Sequence, residues 1–293
     1  MARLNDLALT ALAPVIWGSS YIVITQVLPP GHPIGLSMLR ALPAGLLLIL
    51  ILRSAPPRRW WGRLLVLGGL NFTVFWSLLF LAAERLPGGV AATAGAVQPL
   101  MVIALASLWF GSRLTARAII AACGGLMGVA LLVLTAEAEL DAVGLVAALG
   151  GALAMACGTV LTRRWALPVP PLTLAAWQLT AGGLLLLPLA LWLEPGLPVL
   201  DAAGWAGMAW LGLIGAAATY ALWFRGLERL GPANATLLGF LSPVSATLLG
   251  WSLLDETLTA PQLAGMLLIL GAIALSRPTA PAPPASLAAP VTR

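Results

Sequence analysis

One guanidinium stands inside an otherwise apolar run. Arg40 lies about seven residues into "PIGLSMLRALPAGLLLILIL" (33–52). A guanidinium in hydrocarbon is costly unless it is paired, wet or able to snorkel to the interface. Two readings stay open. Arg40 reaches back to the interface, or it faces a central cavity and binds a backbone carbonyl or the carboxylate of a small molecule. Few other polar side chains share its setting. They are Trp17, Ser19, Ser20 and Tyr21 in "PVIWGSSYIV", Asn71, Thr73, Trp76 and Ser77, then Thr93 and Gln98, the latter directly before Pro99, Thr159, Trp177, Gln178 and Thr180, Thr219 and Tyr220, and Asn234, Thr236, Ser242 and Ser245. Trp17 and Tyr21 are four apart and share a helical face. Tyr220 and Trp223 lack that spacing. An aromatic-lined cavity would suit apolar or aromatic ligand groups, and a lipid-facing ring is the competing reading for each tryptophan.

Other chemistries are missing. No Asp, Glu or Lys lies near the centre of an apolar run, and Glu84, Glu228 and Glu256 come only near run ends. A membrane-centre carboxylate is the usual proton or sodium handle, so its lack argues against an antiporter built on a central glutamate. There is no Walker A sequence, no H-E-x-x-H and no paired acidic cluster, and the single histidine, His32, falls in a loop. No enzyme activity, cofactor or metal is expected. Cys123 and Cys157 lie in apolar runs and read as buried, inert thiols without a disulfide.

The elements that must position these groups follow from composition. The 293 residues are 60% hydrophobic and 9% charged, against about a quarter charged in a soluble domain. The chain therefore crosses a bilayer several times. Charged and Pro/Gly punctuation divides it at 7–28, 34–53, 62–84, 88–110, 117–135, 141–165, 172–193, 203–225, 232–254 and 261–277. These ten runs are helices, because backbone groups cannot stay unpaired in hydrocarbon. The fold class is all-α.

All 15 basic residues are arginine. Thirteen fall on one side: Arg3, Arg53, Arg58, Arg59, Arg63, Arg113, Arg117, Arg163, Arg164, Arg225, Arg229, Arg277 and Arg293. The opposite loops hold Arg85 together with Glu137, Glu139, Asp141, Glu194, Asp201, Asp255 and Glu256. The positive-inside rule puts both termini in the cytoplasm. The scatter of the basic residues through short loops argues against a nucleic-acid partner. The first run is too long for a cleaved signal peptide. Trp109, Trp165, Trp192, Trp205 and Trp223 sit near run ends and read as an interfacial belt.

The chain also repeats itself. "FLAAERLPGG" from Phe80 and "FRGLERLGPA" from Phe224 are 144 residues apart, and the offset carries Pro99 onto Pro243 and "LTA" 114–116 onto "LTA" 258–260. A slightly shorter offset aligns Gly18 with Gly158 and Arg40 with Gln178. The expected units are 1–138 and 139–277, five spans each, followed by a flexible Pro/Ala-rich cytoplasmic tail at 278–293. Five is odd, so the second unit enters the membrane from the other side. Such inverted repeats are the architecture of alternating access. Pro99 and Pro243 each release the carbonyl four residues upstream, on Gly95 and Gly239. Hinge or gate and plain packing kink are both open readings of that pair.

Together these residues resemble a known family. "APVIWGSSYIV" (13–23), the Arg40 span, "FLAAERLPGGVAATAGAVQPLMVIALASLWFG" (80–111) and the stretch 222–275 are similar to ten-helix, EamA-type members of the drug/metabolite transporter superfamily, and to bacterial YddG-like amino acid exporters. The E-x-L-T-x-x-Q-x-x-G hallmark stands as Glu256, Leu258, Thr259, Gln262 and Gly265. The first repeat departs from it, with Gly111-Ser112 in place of an acidic pair. The resemblance implies a secondary transporter that exports small metabolites across the inner membrane, with a cavity between helices 1–4 and 6–9 and helices 5 and 10 as braces. Amino acids with apolar or aromatic side chains are the expected substrates, and cationic drugs or other metabolites the alternative. The expected partners are the substrate and the lipid bilayer, with the chain acting as a monomer.

Overall fold

The computed structural model describes residues 2–86, 94–111, 115–133, 141–254 and 257–275. All of the regular structure described there is helical. The first two spans are α1 (Ala2–Gln26) and α2 (Pro33–Leu52). The third span begins with a 3-10 turn, Arg58–Trp60, and continues as α3 (Trp61–Gly68), a π-helical stretch Gly69–Val74 and α4 (Phe75–Arg85). Then come α5 (Gln98–Phe110), α6 (Ala116–Val133), α7 (Ala142–Trp165) and α8 (Pro171–Leu193). The eighth span is α9 (Ala202–Ala209), a π-helical stretch Trp210–Ala218 and α10 (Thr219–Leu230). The ninth is α11 (Pro232–Leu237), a 3-10 turn Leu238–Phe240 and α12 (Leu241–Leu253), and the last is α13 (Ala260–Leu275).

Every one of the ten runs read from the sequence coincides with one of these rods. Among the described residues, seven helices are long and apolar enough to span a membrane, and 98–110, 116–132 and 260–275 are shorter apolar helices. The largest boundary difference is in the fourth run, expected from 88, where α5 begins at Gln98 and residues 88–93 lie outside the described residues; α1 starts earlier than expected, and α10 runs on to Leu230. The expected tail 278–293 lies outside the described residues, as do Arg113, Arg277 and Glu256.

Local chemistry sets the helix ends. The Asp141 and Asp201 carboxylates accept from the backbone N–H groups of Gly144 (2.6 Å) and Gly204 (2.7 Å), satisfying donors of the first turn. Proline occupies the first turn of α2, α8 and α11, where its missing N–H costs nothing. Gly231, at φ +79°, makes the turn between α10 and α11. The start of α2 is capped from afar. Glu194, just after α8, accepts from the N–H groups of Ile34 (2.6 Å) and Gly35 (2.8 Å).

Six helix pairings build the bundle: α2 on α8, α6 on α13, α1 on α12, α5 on α7, α4 on α7 and α1 on α10. Two of them are glycine seams made of mutually reciprocal contacts. A Cβ on Gly45 would stand 2.5 Å from the Thr180 nitrogen, and one on Gly183 would stand 2.7 Å from the Leu42 nitrogen. Gly183 follows Gly45 by 138 positions, as Thr180 follows Leu42. In the other seam, a Cβ on Gly128 would lie 2.8 Å from the Gly265 carbonyl, and one on Gly265 would lie 2.6 Å from the Gly128 carbonyl. Small residues thus let backbones touch where side chains would hold them apart. The main core lies between α1, α2, α3, α4, α8 and α10.

Candidate functional site

The Arg40 guanidinium does not reach for the interface. Its Nη2 donates to the carbonyl oxygen of Gly215 at 2.9 Å and to Ser20 Oγ at 3.5 Å, and the group lies 4.9 Å from the centre of the Trp76 ring. Four spans meet on this one side chain. The acceptor is unusual, since Gly215 belongs to the π-helical stretch of the eighth span. A π-helix bonds i to i+5 and widens the coil, so its carbonyls are set differently from those of an α-helix. Glycine at 215 also clears the approach, because a Cβ there would meet Arg40 Nη2 at 3.4 Å. Arg40 Nε is buried with no hydrogen-bond partner. It is a cationic donor still open to an acceptor.

Aromatic rings close over this group. Trp17 lies 5.2 Å from Tyr220 and 5.1 Å from Trp223. Phe72 lies 4.6 Å from Tyr220 and 5.2 Å from Trp76, and Tyr220 is 5.8 Å from Phe224. Trp17 Nε1 donates to Thr219 Oγ1 at 2.9 Å, which orients the ring. The expected site residues Trp17, Ser20, Arg40, Trp76 and Tyr220 therefore come together.

A second polar group sits on the other side of α8. Asn71 Nδ2 donates to Gln178 Oε1 at 2.7 Å and to Thr162 Oγ1 at 3.3 Å. Asn71 belongs to the π-helical stretch of the third span. Gly158 leaves it room, since a Cβ there would stand 2.0 Å from Asn71 Oδ1. Asn71 Oδ1, Gln178 Nε2 and Thr159 Oγ1 are buried and unpartnered.

The other expected residues are placed elsewhere. Trp177 packs on Trp60 at 5.6 Å and donates to the Ser54 carbonyl at 2.7 Å, at the end of α2. Gln98 opens α5, its Nε2 buried and unpartnered. Ser242 lies at the start of α12, where its carbonyl crowds Gly18 of α1. The side chain of Tyr21 lies outside the described residues. Pro99 and Pro243 do not interrupt regular helix. Each stands in the first turn of a helix that follows a tighter turn, with Val97 N–H bonded to the Ala94 carbonyl in one case and the 3-10 turn 238–240 in the other. Open space surrounds Gly95 and Gly239, so no close contact demands glycine at either place.

Two expectations are corrected. Trp223 is not an interfacial residue, being 2% exposed and packed on Trp17. Its spacing of three from Tyr220 puts both rings on one helical face. Cys123 is exposed on α6, so it faces out of the bundle, and both thiols are free. Trp192 and Trp205, by contrast, are exposed near their helix ends. Phe72, Phe224 and the Gly215 carbonyl were not among the residues singled out from the sequence, and Thr219 was noted there only as a polar group inside a span. Phe224 is four residues from Tyr220, and Phe72 four from Trp76, so a shared helical face could have found both rings, whereas the Gly215 carbonyl had no signal in the sequence. Among the described residues no three His, Cys, Asp or Glu side chains gather to hold a metal ion.

An all-helical, multi-pass bundle enclosing a buried guanidinium and a ring cluster defines a membrane protein with a polar centre. The chain belongs to the EamA-like transporter family, whose profile matches residues 6–134 and again 142–277. It is 42% identical over 273 residues to protein PecM of Dickeya dadantii, covering 92% of this chain and 91% of that one. It is 28% identical over 266 residues to the uncharacterized inner membrane transporter YedA of Escherichia coli K12, covering 89% and 87% of the two chains. A solved crystal structure superposes with a TM-score of 0.79 at 22% identity, over 93% of this chain and 98% of the other, which establishes the fold. The protein is thus a polytopic membrane transporter.

Proposed function

We propose that the protein is a secondary transporter of the inner membrane that exports small metabolites by alternating access, and that its substrates are amino acids with apolar or aromatic side chains. The observation that carries the substrate class is the Arg40 site. A buried guanidinium with a free Nε among Trp17, Trp76 and Tyr220 suits a carboxylate joined to an apolar body. Among the described residues no carboxylate side chain pairs with that group, so a cationic drug would meet repulsion there.

Alternating access rests on the inverted repeat, which the contacts support. Exchanging each span for the one five places on turns the α1–α12 pairing into the α7–α5 pairing, and the α4–α7 pairing into that of α10 with α1. The two family matches, 6–134 and 142–277, divide the chain as the units 1–138 and 139–277 do. With the arginine-rich side inward, both termini lie in the cytoplasm. Counterflow in proteoliposomes tests this reading. Internal phenylalanine or leucine should accelerate uptake of labelled phenylalanine, while a cationic dye should not compete. Uptake without trans-stimulation would indicate a channel instead.

A further inference from the structure

A cavity of about 340 Å³ opens beside the end of α7, on the side that the arginine asymmetry assigns to the cytoplasm. Its lining includes Thr162, Arg163, Leu174, Phe224, Leu227 and Glu228. Two charges of opposite sign share this small space, yet neither is ion-paired among the described residues. Leu174, Phe224 and Leu227 are all buried in the main core and give the cavity an apolar inner wall. Ala166, between α7 and α8, holds a left-handed φ of +37° that carries the chain around under the cavity.

The cavity also leads inward. Thr162 accepts from Asn71, which holds Gln178. Phe224 packs on Tyr220, which belongs to the ring cluster over Arg40. Both buried groups are therefore one side chain removed from the cavity wall.

We infer that this vestibule is a second binding site, one that takes a small zwitterion before it reaches Arg40. Arg163 reads the anionic end, Glu228 the ammonium, and Phe224 with Leu227 the apolar body. The inference rests on the amino acid reading above and adds an outer selection step to it. A zwitterionic lipid headgroup offers the same pair of charges. The connection through Thr162 and Phe224 to the interior favours the free amino acid.

The test uses the full chain, free of native cysteines, with Val169→Cys at the cavity wall, in nanodiscs of phosphatidylglycerol alone. Phenylalanine should protect this thiol from maleimide. Arg163→Gln and Glu228→Gln should each raise the half-protecting concentration about three- to tenfold, the range of a partly exposed charge contact. Glu228→Gln should also lessen the preference for phenylalanine over N-acetylphenylalanine, and Arg163→Gln the preference over phenylalaninamide. Glu228 is exposed, so its variant stays informative even where Arg163→Gln folds poorly. Equal protection in wild type and Glu228→Gln overturns the inference. So does protection that appears with phosphatidylethanolamine alone and is unaffected by phenylalanine. A wild type that exchanges phenylalanine without protecting Val169→Cys loses the vestibule and keeps the proposed function. A wild type that does neither loses both.

Discussion

The Arg40 group and the Gln178 group occupy matching places and differ in kind. Arg40 and Gln178 sit 138 positions apart on α2 and α8, and each meets the π-helical stretch of a neighbouring span. Their partners, Gly215 and Asn71, are 144 positions apart. Even the backbone agrees. A Cβ on Gly68 would stand 2.8 Å from the Gln178 carbonyl, and one on Gly212 would stand 3.3 Å from that of Arg40. At one place the polar link is side chain to side chain and neutral. At the other a charged side chain holds a main-chain oxygen, and its free donor is cationic and lies among aromatic rings, whereas the free donor of Gln178 belongs to a neutral amide. The common geometry belongs to the scaffold, and the difference in chemistry separates a structural tie from a site that can take a ligand.

Replacing Arg40 should give the largest effect. Arg40→Gln is expected to slow phenylalanine counterflow about 30- to 100-fold, the worth of a lost charge-assisted contact of ~2–3 kcal/mol. Arg40→Lys should recover little, because the three donors of an ammonium radiate from one nitrogen and lack the planar fork that lets Nη2 hold Gly215 while Nε faces a second acceptor. Counterflow at wild-type rates in both variants would erase the distinction between the two groups. Asn71→Ala should behave in the opposite manner. It leaves Gln178 buried and unsatisfied, so unfolding in detergent should become easier by about 1–3 kcal/mol, while the half-saturating phenylalanine concentration stays within about twofold. A large rise in that concentration would move Asn71 into the binding site.

The same contrast extends to the helix starts. α2 has its first turn capped by Glu194, whereas α8 begins after Pro170 with no side-chain cap of its own. Glu194→Ala should cost about 1 kcal/mol, read as faster hydrogen exchange at Ile34 and Gly35. Protection equal to wild type would mean that water replaces the carboxylate there. The smallest effects are expected at Pro99 and Pro243, since a first-turn proline is well tolerated. Pro99→Ala and Pro243→Ala should shift the balance of inward- and outward-open forms by roughly two- to threefold, in opposite directions. Spin-label distances across the two faces measure this, and shifts of one sign would dissociate the prolines from the gates.

The apolar runs were legible because they follow from solvation, and Arg40 stood out for the same reason, but snorkelling and facing inward were both open until its Nη2 was found on the Gly215 carbonyl. Twenty apolar residues span hydrocarbon, and an unpaired guanidinium does not stay in it. The ring cluster was half legible. Trp17 and Tyr220 stood out, but Trp223 looked interfacial because a position near a run end does not say which way the ring points. The π-helical stretches at 69–74 and 210–218 were not legible. A register change within a helix leaves composition and hydropathy untouched, and "GLNFTV" reads as ordinary span. The Gly215 carbonyl was hidden for the same reason, as backbone oxygens carry no letter of their own. Gln178 was aligned with Arg40 from the start, yet its neutrality gave no hint that it answers to Asn71.

The two glycine seams also bear on motion. Under the proposed exchange of the two halves, a rotation that carries α2 onto α8 and α6 onto α13 runs its axis through both helix crossings, between Gly45 and Gly183 at the first. Two such crossing points determine a line, and matter on that line is displaced least when the halves trade shapes. Probes placed on outward-facing positions beside these seams, leaving the glycines themselves intact, should therefore report an almost stationary background. Labels set progressively farther from the line should trace arcs that lengthen with distance, as on a wheel about its axle.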